Sequence, residues 1–157
     1  MLLEKCRFNF YIIWAVLILS CIPATKPDAK GNGEMMPFVT IDKGITSGNT
    51  GRSFLAIRTA QEWQDIWHQH SSHLTASPGL PPVDFSKEMV IAIFQGNKST
   101  GGFSVEILRV EKSEVRLLVF YKERVPPPGS MVPQVLTQPY HMIKLQRMEG
   151  EVIFQHQ

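Results

Sequence analysis

Met89, Val90, Ile91, Ala92, Ile93 and Phe94 form a continuous apolar run. Such a run predicts a central strand covered on both faces. Downstream the pattern changes. Phe103, Val105 and Ile107 alternate with Ser104 and Glu106, and Val115, Leu117, Val119 and Tyr121 alternate again. Two alternating runs around the turn at 112–114 predict a hairpin with one buried face. Shorter strands are expected at 38–41, 54–57, 141–145 and 152–154. Residues 42–52 hold Gly44, Gly48 and Gly51 and read as a loop.

One stretch has the helical period. Trp63, Ile66, Trp67 and His70 fall at i, i+3, i+4 and i+7. Thr59 and Glu62 have the spacing of a capping box just before it. Burying each tryptophan would contribute about 2–3 kcal/mol or more. His68, His70 and His73 cluster at the helix end, where cationic character is favourable, and read as solvated. With roughly seven short strands, the fold class is α+β: a mostly antiparallel sheet packed by one main helix.

Residues 95–102, Gln-Gly-Asn-Lys-Ser-Thr-Gly-Gly, join the central strand to the hairpin. The rest of the fold is read as arranged around this loop, whose three glycines imply special backbone angles or close approach by another segment. In residues 125–129, Val-Pro-Pro-Pro-Gly, the three prolines give no ladder donor, so the segment reads as a crossover or an edge segment. The bond before Pro139 is open to either isomer. Gly96 and Gly101 have P-loop spacing, but Gly102-Phe103 stands where Lys-Ser/Thr is required, and a strand follows. No Gly-x-Ser-x-Gly, dinucleotide or metal signature is present, and the carboxylates are scattered. No cofactor and no metal are expected, and the chain is read as not an enzyme.

The N-terminus bounds location. Lys5 and Arg7 precede an apolar stretch at 8–19 broken only by Asn9, and Ser20-Cys21 follow. That layout is a secretory signal, and the stretch is shorter than the ~20 residues of a spanning helix. Ile18-Leu19-Ser20-Cys21 resembles a bacterial lipobox, with Cys21 as the lipidated first mature residue. The alternatives are ordinary secretion and an uncleaved anchor. The expected organisation is a signal peptide at 1–20, a flexible tether at 21–36 and a single domain at 37–157. Cys6 and Cys21 are the only cysteines, so the domain has neither disulfide nor thiolate chemistry. The net charge of +2 and the absence of a basic cluster exclude a nucleic-acid footprint.

Three motifs then combine: Phe94-Gln95-Gly96-x-Lys98-x-Thr100-Gly101-Gly102-Phe103, Pro126-x-Pro128-Gly129, and Gln134-x-Leu136-Thr137-Gln138-Pro139-Tyr140. Together, over residues 83–145, they resemble the PrcB C-terminal domain family. The helix with Trp63 and Trp67 resembles what often precedes that domain. The resemblance implies a small, secreted or lipid-attached, non-catalytic protein of the bacterial cell envelope. It implies a protein partner, such as a surface protease complex, and supplies no catalytic residues.

Gly96, Lys98, Thr100, Gly101, Gly102, Pro126, Pro128, Gly129, Thr137, Pro139 and Tyr140 are therefore candidates for architecture or for binding. In the binding alternative, a groove between the glycine loop and residues 126–140 holds a small ligand or peptide. A hydrolase is a third class. A strand edge near the proline segment is a further place for a partner to dock. Metabolic labelling with palmitate is expected to mark the chain and to be lost in Cys21→Ala. An unlabelled wild-type chain would remove the anchor.

Overall fold

The computed structural model describes residues 33–76, 78–113 and 115–157. The expected signal segment, Cys21 and residues 22–32 of the expected tether lie outside them. The elements are β1 (Glu34–Met36), β2 (Phe38–Gly44), β3 (Arg52–Ile57), α1 (Ala60–Ser71) and β4 (Glu88–Gln95). They continue with β5 (Ser104–Ser113), β6 (Arg116–Arg124), β7 (Tyr140–Gln146) and β8 (Glu151–His156).

The strands form two four-stranded sheets, ordered β1-β5-β6-β8 and β2-β7-β4-β3. Every pairing is antiparallel except β6 with β8. The two-faced reading of 89–94 holds. Met89, Ile91 and Ile93 join Ile143 and Leu145 against Val105, Val110, Leu117 and Val119 between the sheets. Val90, Ala92 and Phe94 face the other way, against the helix. The expected β5–β6 hairpin is present.

Two expectations need correction. Residues 34–36, expected in the tether, pair with Val110, Glu111 and Lys112 of β5. Met36 is buried in the inter-sheet core, which rewards the pairing. Three residues between Gly33 and Pro37 are too few to show alternation. The expected loop at 42–52 also begins later, because β2 runs through Gly44 opposite Tyr140.

The capping box forms as expected. Glu62 N–H donates to Thr59 Oγ1 and Thr59 N–H donates to the Glu62 carboxylate, each at 3.2 Å. Trp63 and Trp67, rings 5.4 Å apart, cover Val90, Ala92, Phe94 and Met142. Their indole N–H groups donate to the carbonyls of Pro81 (3.0 Å) and Pro78 (3.3 Å), tying the proline-rich loop over the helix. In thermal or urea unfolding, Trp63→Ala is expected to cost about 3–5 kcal/mol through the cavity it leaves. Loss of the cap in Thr59→Ala is expected to cost about 1 kcal/mol.

Candidate functional site

The glycine loop and the segment after the prolines are built into each other. Lys98 and Thr137 form an antiparallel bridge, with N–H···O distances of 2.8 and 3.0 Å. Gly101 N–H donates to Pro133 C=O at 2.8 Å, and Thr137 Oγ1 donates to Thr100 C=O at 2.9 Å. Gln95 N–H donates to Pro139 C=O at 2.9 Å. No described peptide bond is cis, so the bond before Pro139 is trans.

The glycines answer steric demands. Gly96 has φ +70°, and a Cβ there would lie 2.8 Å from Arg52 N and 2.9 Å from Thr50 O. Gly102, at φ +89°, lies where a Cβ would meet Pro126 and Val132 at 3.1 Å. Gly101 abuts Pro133. At Gly101 and Gly102 the two segments expected to flank a groove pack directly on each other, through Pro133, Pro126 and Val132. Lys98 lies with its ammonium 5.4 Å from the Phe103 ring centre, a cation–π geometry.

The contacts hold up an exposed apolar surface. Met131 is fully exposed, Leu136 is 66% exposed, and Val125 and Val135 are also exposed. Pro128 and Gly129 stand at the exposed tip, where Ser130 N–H closes a turn onto Pro127 C=O at 3.1 Å. The glycines and prolines of this site stand out in the sequence, whereas the apolar side chains that they present do not.

Tyr140 belongs to a different group. Its hydroxyl donates to Asp42 Oδ2 at 2.9 Å, and burial pushes the phenol above its ordinary range. The same carboxylate oxygen lies 3.3 Å from His70 Nε2, and His70 Nδ1 lies 2.9 Å from Ser47 Oγ. His70 is buried against Trp67, Phe94 and Tyr140 rather than solvated. The period that put His70 on the tryptophan stripe was the better guide. Burial lowers its pKa, against the pull of Asp42.

Ser47, His70 and Asp42 have the composition of a hydrolytic triad, and only the composition. Ser47 is 3% exposed, and its Oγ already accepts Asn49 N–H at 3.0 Å. Gly48 N–H donates to His70 C=O at 2.7 Å, and a Cβ on Gly48 would collide with Ser72 and Gln69. The serine hydroxyl is thus buried and engaged within the fold. The set latches residues 45–51 onto the end of α1. Among the described residues, no three His, Cys, Asp or Glu side chains are grouped to hold a metal ion.

A second buried histidine joins the two sheets. His141 Nδ1 accepts Ile107 N–H at 2.8 Å, beside the register shift in β5. With Nδ1 accepting, Nε2 carries the proton and donates to Thr40 Oγ1 at 3.0 Å. Burial lowers the His141 pKa to about 4, and Lys43 pushes the same way. The unfolded chain therefore binds more protons than the folded one between pH 6.5 and 4. Stability is greatest above that window and falls as pH drops through it, by up to about 3 kcal/mol for this residue. Urea midpoints measured across the window should show this slope, and His141→Gln should flatten it.

No curated protein and no solved structure matches the chain. Residues 89–146, from β4 through the glycine loop and hairpin to the end of β7, match the family model described as PrcB C-terminal.

Proposed function

We propose that this chain is a lipid-anchored protein-binding module of the bacterial envelope that attaches to a surface protease complex and stabilises it. It works by contact rather than by catalysis. The observation that carries this reading is the loop at 125–136. Four large apolar side chains, Val125, Met131, Val135 and Leu136, face solvent on a support clamped by residues 96–102. A rigid apolar display is what a protein contact site requires. The PrcB C-terminal match over residues 89–146 supports a role associated with a protease complex. A small-ligand groove has less support, since Pro126, Val132 and Pro133 pack closely on Gly101 and Gly102 between the two segments.

A photo-crosslinking residue at position 131 of the full-length chain, in cells, is expected to capture one stoichiometric protein partner. Met131→Asp should weaken that partnership at least ~10-fold. Because Met131 is fully exposed, unfolding stability should stay within about 0.5 kcal/mol of wild type. Unchanged partner recovery by Met131→Asp and Leu136→Asp together would refute this contact surface.

A further inference from the structure

The two sides of the sandwich treat their strand edges differently. On one side the chain passes from β1 to β2 through Pro37. There β1 has three residues, and β2 carries a register shift between Thr40 and Asp42 and the charges of Asp42 and Lys43. Short strands, proline, bulges and charges are the devices that stop an edge from pairing with another chain.

The opposite side carries few of them. There β3 and β8 lie together, with the rings of Phe54 and Phe154 5.2 Å apart. Arg58 ties this side at one end, through Met148 C=O at 3.1 Å and Gly150 C=O at 2.7 Å. Both strands pair in unbroken register, without proline or lysine. Among the described residues, neither has a hydrogen-bonded neighbour on its outer edge.

Beside β3 lies a pocket of about 260 Å³, lined by Leu55, Ala56, Ile57, Glu62, Asp65 and Ile66. Ala56 packs on the inter-sheet core while Leu55 and Ile57 face the helix, so the lining takes in both faces of the strand, which fits a position at its outer edge. The lining is aliphatic on the strand and at Ile66, and acidic along the helix. The Glu62 carboxylate accepts the backbone N–H of Arg58 and is engaged with Thr59 in the helix cap, and these bonds lower its pKa and keep it ionised. Asp65 is exposed, with Oδ1 accepting from Gln61 at 3.0 Å.

We propose that the β3 edge accepts an added strand from a partner protein. This extended segment sets an aliphatic side chain beside Leu55 and Ile66 and, two residues away, a lysine or arginine against Asp65. Main-chain bonds to the open edge hold the segment, and the pocket reads it. The two side chains fall on one face because successive strand residues alternate. Among the described residues the proline segment belongs to neither sheet and makes an isolated bridge to Lys98 at Thr137, so β3 rather than that segment offers the strand edge. This inference rests on the protein-binding reading but uses a surface other than residues 125–136.

A phage-displayed library of random heptapeptides, panned on the full-length chain in detergent micelles, tests it. The expected consensus is an aliphatic residue followed at the second position by lysine or arginine. The corresponding synthetic peptide should slow amide exchange in 52–57. Asp65→Lys, a change at an exposed position, should weaken that peptide about tenfold and shift the selection towards aspartate or glutamate. Met131→Asp should leave peptide binding unchanged. Three results overturn the proposal: no enriched consensus, a consensus indifferent to Asp65→Lys, or protection at β8 or residues 125–136. A dimer in sedimentation that is abolished by Leu55→Lys would make a second copy the occupant and would equally overturn it. Failure here with capture at position 131 intact leaves the function proposed above standing.

Discussion

The fold depends on two strands being dry on both faces. In β4 and β7, successive side chains alternate between the inter-sheet core and the layer under the helix. No exposure is measurable for Met89, Val90, Ile91, Ala92, Ile93, Met142 or Ile143. A strand in that position needs a sheet on one side and a second cover on the other, and α1 with its two tryptophans is that cover. The helix is therefore part of the core rather than an ornament on a β-sandwich, and removing its indoles would wet the outer face of the sheet.

Two irregularities adapt this regular frame to its polar residues. The shift in β2 between Thr40 and Asp42 sends their side chains to opposite faces, although they are two residues apart. Thr40 reaches His141 between the sheets, while Asp42 reaches Tyr140 and His70 under the helix. The shift in β5 between Ile107 and Arg109 lies beside the Ile107 N–H that donates to His141. Each buried histidine then has partners for both ring nitrogens, which is the condition for a polar ring to sit in a core without a large penalty.

Local pattern made much of the fold legible. The apolar run of β4, the hairpin and the capping box each announce themselves within a few residues. Strand β1 did not, because three residues carry no period, and its pairing with β5 is decided more than seventy positions away. His70 was ambiguous for a related reason. Its place on the tryptophan stripe was visible, while the partners that make burial tolerable, Asp42 and Ser47, come from a segment that reads as plain loop. In the candidate site, glycine and proline stood out because they restrict backbone geometry. Val125, Met131, Val135 and Leu136 did not, since in a sequence an exposed apolar residue looks like a buried one.

The order β2-β7-β4-β3 has a kinetic consequence. β7 lies between β2 and β4, so Phe38 finds Leu145 only after the two have diffused together across more than a hundred residues of chain. Until β7 inserts, the β3–β4 pair keeps the apolar flank of β4 open, and β2 has nowhere to dock. Closing such a long loop before its contacts repay the entropy slows assembly to on the order of milliseconds to seconds. Throughout that interval the apolar strand β4 stands with one edge unpaired, open to pairing with another chain.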